Sequence, residues 1–153
     1  MVINGADNKK KPEISELLRS TEQALRQRSD IENVKEHPAI ATWREAHRLF
    51  GNNPNRYAPS VEAVIKRVVK GGSLPNINPL VDIYNHICMK YIVPVGGEDL
   101  DTCKGNIELA VASGEEKFIG LGDENNDSPT AGEVIYKDEE GVLCRRFNWR
   151  EAD

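Results

Sequence analysis

The sequence predicts an α+β domain in which helices come first and a mainly antiparallel sheet follows and packs against them. Three observations support this prediction. Apolar residues recur at three- and four-residue spacing as far as Tyr91, which is the period of an amphipathic helix. From Ile107 onwards apolar and polar residues alternate in short runs, which is typical of strands. A segregated order of helices and then strands favours an α+β fold over repeated βαβ units.

The chain of 153 residues has the size of one domain, so we expect a single domain over residues 1–153. Its 39% hydrophobic and 29% charged residues are ordinary for a globular protein, and no apolar run is long enough to cross a membrane. The N-terminal segment lacks the apolar core of a secretory signal, and three cysteines without a CxxC motif suit a reducing compartment. The sequence therefore predicts a cytoplasmic protein without a membrane partner.

The first 72 residues predict three helices, each with a recognisable start. Pro12 and Pro38 open the first two, because proline has no backbone N–H and its fixed φ suits the first helical position. Ser60 caps the third helix, and Gly51 and Gly71 are the expected left-handed stops of the second and third. The predicted buried faces consist of Ile14, Leu17, Leu18, Thr21 and Leu25, of Ile40, Trp43, His47 and Phe50, and of Val61, Val64, Ile65, Val68 and Val69.

The stretch from Ser73 to Asp101 predicts a fourth helix followed by a glycine-rich loop. Asn78 is the expected N-cap of this helix, and Pro79 is its expected first residue. Pro94 ends the regular structure, and two glycines follow at once. The predicted buried face of this helix consists of Leu80, Ile83, Tyr84, Ile87 and Tyr91.

Polar residues in the same stretch predict a pocket. Asn78, Asp82 and Asn85 recur at helical spacing, so they share one face of the helix. Side-chain amides and carboxylates on a buried helix need partners, which are either the protein's own backbone or a ligand. The glycines of the loop let the backbone approach a bound molecule closely. We expect the pocket to be lined by Asn78, Asp82, Asn85, Gly96, Gly97, Glu98 and Asp99.

After residue 101 the pattern changes to short strands joined by turns. Alternating apolar positions and β-branched or aromatic side chains mark these strands, and an acidic turn that ends in glycine precedes the last one. The predicted strands cover residues 107–111, 118–121, 133–136 and 142–147.

The sequence carries no recognisable catalytic or metal-binding motif. None of the spacings among its three histidines and three cysteines matches a zinc module, so we expect neither metal nor cofactor. His47 lies between Trp43 and Phe50 on an apolar helix face, where a histidine is more often a hydrogen-bonded core residue than a catalytic base. Cys144 lies among apolar strand residues, which predicts a buried and unreactive thiol.

Basic residues are concentrated in two parts of the chain, although the net charge is −5. One group lies between residues 43 and 72 and the other near the C-terminus, while the segment from Glu98 to Glu140 is strongly acidic. A localised basic patch can bind phosphates, and the alternative is a solvated face of mixed charge. The candidate phosphate-binding residues in these two groups are Arg44, Lys66, Arg67, Arg145, Arg146 and Arg150, and RNA is the partner that the family resemblance given below implies for them.

Five segments, in order along the chain, resemble a known domain. They are NINPLVDIYN (76–85), PVGGEDLD (94–101), KGNIELA (104–110), GEVIYKDEEG (132–141) and CRRFNWR (144–150). These segments are similar to the B-three/B-four domain of the phenylalanyl-tRNA synthetase beta subunit, and most of all to its free-standing relatives. WREA (43–46), FG (50–51) and SVEA (60–63) also fit those relatives.

The resemblance implies an editing-type domain that binds tRNA or aminoacyl-tRNA. Within the synthetase, this domain hydrolyses tyrosine wrongly esterified to phenylalanine tRNA, an error that an amino-acid pocket rejects only weakly. Asn85 matches the editing-site asparagine of the family, and Glu151 is the candidate for its acidic editing residue. The synthetase pattern has a histidine in the loop where this chain has Gly96, and glycine has no side chain to transfer a proton or hold a water.

Three functions are therefore open. The first is a stand-alone editing domain that hydrolyses mischarged tRNA in trans, with Asn85 and Glu151 as its catalytic residues. The second is a non-catalytic module that binds tRNA or a small amino-acid ligand and has lost the editing histidine. The third is a metabolic enzyme that uses the same pocket for a small ester or amide.

The resemblance also bears on the extent of the domain. Fuller members of the family have strands before and after the region that this chain matches, so we expect an editing-domain-like fold that is truncated at both ends. An incomplete sheet leaves open edges. Self-association into a homo-oligomer is the expected consequence.

Overall fold

The structure, a computed structural model, describes residues 1–153. These residues divide into two compact units. The first unit comprises Met1–Ala41 and Val61–Val95, and the second comprises Thr42–Ser60 and Gly96–Asp153. The organisation of the chain as one functional domain stays a prediction.

Helices come first and strands later, in the order that the sequence predicts. The helices are α1 (Pro12–Arg26), α2 (Pro38–Leu49), α3 (Ser60–Val69) and α4 (Pro79–Tyr91), with two short 3-10 turns at Ser29–Ile31 and Val34–Glu36. The strands are β1 (Glu108–Val111), β2 (Val134–Lys137), β3 (Val142–Arg145) and β4 (Arg150–Glu151). The α+β class with an antiparallel sheet is therefore confirmed. No helix is both long and apolar enough to cross a membrane.

Helices α1 and α4 pack together in the first unit. Leu18 and Leu25 of α1 are buried, and burying one such side chain contributes about 1.5–3 kcal/mol. Glu22 of the same helix is also buried, because the Arg19 guanidinium and the backbone N–H of Leu74 both donate to its carboxylate. This hydrogen bonding ties α1 to the segment that leads into α4.

Helix α4 buries a different face from the one that the sequence predicts. Ile83 and Ile87 are each 36% exposed and Tyr91 is 61% exposed, whereas Cys88 and Met89 are buried. The prediction is wrong because apolar residues occupy more than one face of α4, so helical spacing alone does not select the face that turns inward.

The second unit contains a four-stranded antiparallel sheet in which strands that are consecutive in the chain are also neighbours, in the order β1-β2-β3-β4. Its buried core is formed by Ala112, Phe118, Ile135 and Val142. The register between β2 and β3 shifts after Tyr136, which marks a β-bulge.

Two predicted strands differ in the structure. Residues 118–121 form no regular strand, but the segment does pair antiparallel with the C-terminal residues, through a bridge between Gly120 and Ala152 and a hydrogen bond from Leu121 N–H to the Glu151 carbonyl. Strand β3 ends at Arg145 instead of residue 147, because the next two residues have positive φ, which an extended strand does not allow.

The turn between β3 and β4 is strained. Arg146 has φ 50° and Phe147 has φ 69°, and such left-handed backbone costs residues other than glycine on the order of 1–3 kcal/mol each. Hydrogen bonds hold this conformation, since Phe147 N–H donates to the Val134 carbonyl at 2.8 Å and Trp149 N–H donates to the Arg145 carbonyl at 3.0 Å. Backbone strain of this kind clusters at functional sites.

Candidate functional site

The predicted site residues divide between the two units. Asn78, Asp82 and Asn85 lie on or next to α4 in the first unit, whereas Gly96, Gly97, Glu98, Asp99 and Glu151 belong to the second. The predicted RNA-binding residues divide likewise, with Lys66 and Arg67 in the first unit and Arg44, Arg145, Arg146 and Arg150 in the second.

Two of the polar residues at α4 hold the fold. The Asn78 side chain accepts a hydrogen bond from Val81 N–H at 2.9 Å and caps the helix, as the sequence predicts. Asp82 is 3% exposed and accepts from the Asn76 side-chain amide at 2.9 Å and from Ile77 N–H at 3.3 Å. The sequence allows either the protein or a ligand as the partner of these groups. For Asn78 and Asp82 the partners are the protein's own polar atoms.

Asn85 is the polar residue of α4 that remains available to a ligand. It is half-buried, and the hydrogen bonds of the fold do not use its amide. His86, its neighbour in the chain, is engaged, because Thr21 Oγ1 lies 2.6 Å from its Nδ1. Burial, and to a lesser degree the charge of Lys90, lowers the pKa of His86 and so favours its neutral imidazole.

In the second unit, the backbone of Gly96 lies directly against Glu151. A β-carbon at Gly96 would lie 3.3 Å from Glu151 Oε1, and outside its chain neighbours it would meet no other heavy atom within 4 Å. A β-carbon at Gly97 would meet open space. The loop position at which the synthetase pattern has a histidine therefore faces the carboxyl group of Glu151.

Glu98 and Glu151 form a pair of interacting carboxyl groups. Burial is the largest cause that raises the pKa of Glu151 to about 7, and the negative charge of Glu98 adds to it. Burial also raises the pKa of Glu98. Both residues as a whole are exposed to solvent, so solvent screens part of this interaction. Because the two groups share a hydrogen bond, the pair retains a proton near neutral pH.

The Cys144 thiol lies beside this pair. Cys144 pairs with Glu151 across β3 and β4, and it is 3% exposed. Burial, with the charge of Glu151 as the next cause, raises the pKa of Cys144 far above its ordinary value. The group is therefore a neutral thiol, whose Sγ lies 3.7 Å from the carbonyl oxygens of Arg145 and Phe147, and it is buried as the sequence predicts.

Asp99 shapes the loop that follows Glu98. Its Oδ1 accepts from Asp101 N–H at 3.1 Å, and its carbonyl accepts from Thr102 N–H at 3.0 Å. An Asx turn of this kind is a structural role that aspartate fills well.

Two of the arginines that the sequence predicts as RNA contacts are buried inside the second unit. Arg44 is 5% exposed and donates to the Pro54 carbonyl at 3.0 Å and to Asn55 Oδ1 at 2.6 Å. Arg145 is 4% exposed and donates to both oxygens of Glu133, at 2.6 and 3.1 Å. Their guanidinium groups hold the fold together, so neither is on a surface that RNA reaches.

Three other predicted cations remain accessible. Lys66 pairs with the buried Glu62 at 2.5 Å and keeps 32% of its side chain exposed. The Arg67 side chain is exposed and donates to the Ser73 carbonyl at 2.8 Å. Arg150 pairs with Asp123 at 2.8 Å and is 37% exposed.

His47 belongs to the buried structure of the second unit. It has no exposed surface, and its Nδ1 accepts from the Asn52 amide at 2.6 Å. Its Nε2 therefore donates to Asn148 Oδ1, at 2.9 Å. With both ring nitrogens used, His47 is a core histidine, as the sequence predicts.

Glu133 is a functional candidate that the sequence reading misses. It accepts hydrogen bonds from Arg145, from Arg146 and from the N–H of Thr130. Its position at the start of a short strand gives no sign of burial. The one available signal is the pair of adjacent arginines at the end of β3, since a buried arginine in a strand requires a carboxylate partner.

A family model described as the B3/4 domain matches residues 42–153. This range contains α4, the loop with Gly96 and all four strands. No curated protein and no solved structure matches the chain. No group of three or more His, Cys, Asp or Glu residues is arranged to hold a metal ion.

Proposed function

We infer the function from one premise: this chain belongs to the B3/4 domain family, whose model covers residues 42–153. The sequence resembles the member of that family found in the phenylalanyl-tRNA synthetase beta subunit. We propose that this protein binds aminoacyl-tRNA and hydrolyses the ester bond of a mischarged amino acid in trans. The substrate that the resemblance suggests is tyrosine esterified to phenylalanine tRNA.

The carboxyl pair beside Gly96 is the observation that carries this proposal. Hydrolysis of an ester requires a base that takes a proton from the attacking water, and a base works best when its pKa lies near the working pH. Glu151, with a pKa of about 7, meets this requirement. The absence of a side chain at Gly96 leaves space against its Oε1.

The proposed reaction proceeds in two proton transfers. Glu151 takes a proton from water while the water oxygen bonds to the ester carbonyl carbon. The bond from that carbon to the ribose oxygen then breaks, and the proton passes from Glu151 to the leaving oxygen. Burial is the main cause that keeps the pKa of Glu151 near neutral, and Glu98, which shares a hydrogen bond with Glu151, adds to this effect.

Other residues have supporting roles in the proposal. Asn85, in the first unit, is a candidate contact for the aminoacyl-tRNA, as its match to the family asparagine suggests, and its amide makes no hydrogen bond within the fold. Lys66, Arg67 and Arg150 expose cationic groups that suit contacts with tRNA phosphates.

A deacylation assay with tyrosine esterified to phenylalanine tRNA tests this proposal. We expect the wild-type protein to release tyrosine, and Glu151→Gln to lower the rate by about 100-fold or more, because the variant lacks the base. Asn85→Ala should also lower the rate. Glu124→Gln, which neutralises an exposed glutamate of the second unit, is the matched control and should leave the rate unchanged. Equal rates with and without wild-type protein would refute hydrolysis.

A second candidate function is a non-catalytic module that binds tRNA or an amino acid. The observation that favours it is that this chain has glycine at position 96, where the synthetase pattern has a histidine, so the side chain that could transfer a proton is missing. This alternative predicts that uncharged and mischarged tRNA bind equally well and that mischarged tRNA is recovered intact from the complex.

A further inference from the structure

A cleft of about 320 Å³ lies within the second unit. It is bounded by residues 50–52, residues 130–134 and Arg146. Its volume is close to the lower end of the range for ligand pockets, which is about 300–1,000 Å³. The cleft is therefore of a size for a small molecule or for one terminal group of a larger one.

The buried charges beside the cleft do not balance. Arg145 and Arg146 both pair with Glu133, and these three side chains are 5%, 11% and 3% exposed. Asp127, the other acid that contacts Arg145, is 66% exposed, so solvent screens its charge. Arg146 and Glu133 line the cleft, and Arg145, which does not line it, also pairs with Glu133. The buried side chains at this side of the cleft therefore carry one more positive than negative charge, which favours an anion.

The turn that carries Arg146 also contains unused hydrogen-bond donors. Two buried side-chain nitrogen atoms of the protein lack a partner, and they are Arg146 Nε and Asn148 Nδ2. Buried donors are rarely left unpaired. Both atoms can donate and neither can accept. Arg146 lines the cleft, so its donor suits an oxygen atom of a bound molecule.

The Arg146 guanidinium is held in a fixed position. Its Cζ lies 3.8 Å above the centroid of the Tyr57 ring, and Glu133 accepts a short hydrogen bond from its Nη2. The left-handed backbone at Arg146, with φ 50°, is the strained conformation that directs this side chain. A group that is held in place before binding loses little entropy when a ligand arrives.

We propose that Arg146 binds the oxyanion of a small ligand in this cleft, and that the oxyanion is a carboxylate or a phosphate group. Two of its nitrogens are already used, since Nη2 donates to Glu133 and Nη1 to Asn52 Oδ1, so Nε is the donor that remains for one oxygen of the anion. The proposal does not depend on ester hydrolysis, because it concerns binding alone. Its test contains no tRNA, so its failure and the failure of the proposed deacylation are separate results.

Binding of inorganic phosphate and of acetate to the whole chain, followed by NMR chemical shifts, tests the proposal and distinguishes the two anions. We expect saturable binding of at least one anion at millimolar concentration. Arg146→Gln should weaken it by about 10-fold or more, which is the loss typical of a hydrogen bond to a charged group. Arg56→Gln is the matched control, because Arg56 also lies over the Tyr57 ring but does not line the cleft.

A second variant covers the case in which Arg146→Gln does not fold. Ala131 is exposed and lines the cleft, so Ala131→Trp fills the space while it keeps every charge. Loss of anion binding in Ala131→Trp supports the proposal. The proposal is overturned if neither anion binds the wild type below about 100 mM, which is weaker than one charged contact provides. It is also overturned if Arg56→Gln weakens binding as much as Arg146→Gln, or if Ala131→Trp binds like the wild type.

Discussion

Single carboxylates determine much of the chemistry of the second unit. Glu133 neutralises two arginines, whereas Glu151 lies against a glycine and a second glutamate. The two acids differ in charge state for this reason. Contacts with arginine lower the pKa of Glu133, and burial beside Glu98 raises that of Glu151.

This difference predicts how stability depends on pH. The pKa of Glu151 is about 7 in the folded protein, against an ordinary value of 4.5. Between these values the folded state binds more protons than the unfolded state, so stability falls as the pH rises from about 4.5 to about 7. We expect Glu151→Gln to be more stable than the wild type at pH 8, by on the order of 1 kcal/mol because solvent screens the pair. The two proteins should be equally stable at pH 4.

Chemical denaturation at both pH values measures this effect. Glu124→Gln serves as the control, since it neutralises an exposed glutamate of the same unit. A wild type that is the more stable protein at pH 8 would contradict the raised pKa of Glu151.

The sequence predicts which residues lie at the candidate site of the second unit, but it does not predict which of them are in contact or buried. Gly96, Glu98 and Glu151 are all named from the sequence, and the structure brings them together. Their mutual contact is not predictable from spacing, because it joins a loop to a strand more than fifty positions away in the chain. The burial of Arg44 and Arg145 is missed because an arginine carries the same charge whether it faces solvent or a carboxylate.

Among the secondary-structure elements, α4 depends on one buried acid at its N-terminal end. Asp82 accepts from Asn76 and from Ile77 N–H. We expect Asp82→Ala to destabilise the protein by about 1–3 kcal/mol, because it leaves these donors without their partner. Urea denaturation measures this loss, with Asp101→Ala, at an exposed position, as the control. Equal midpoints for the two variants would show that Asp82 does not anchor the helix.

The elements themselves were more predictable than their contacts. Three helices start at the proline that the sequence indicates, and α3 starts at Ser60, which the sequence predicts as its cap, because the chemistry of a helix start is local. The inward face of α4 and the absence of a strand at residues 118–121 depend on packing partners that are distant in the chain. Local patterns do not contain that information.

Over the whole molecule, the distribution of acidic and basic groups determines how we expect the proposed tRNA affinity to depend on salt. The net charge is −5, so a tRNA contact must rely on a few local cations and not on the average charge. We expect tRNA affinity to fall steeply between 50 and 200 mM salt, as counterion release requires. Arg67→Gln should reduce the slope of log affinity against log salt by about 1.

Filter binding over a salt series measures this slope. Arg48→Gln is a suitable control, because Arg48 is an exposed arginine that pairs with Glu45. Affinity that is independent of salt would contradict contacts with phosphates and would favour the amino-acid ligand of the alternative function.

The backbone conformation of the loop does not require a glycine at residue 96. The φ of Gly96 lies outside the left-handed region, and an added side chain would approach only the carboxylate of Glu151. A side chain at residue 96 would therefore require the Glu151 carboxyl group to shift by a few tenths of an ångström, while the backbone of the loop could keep its path.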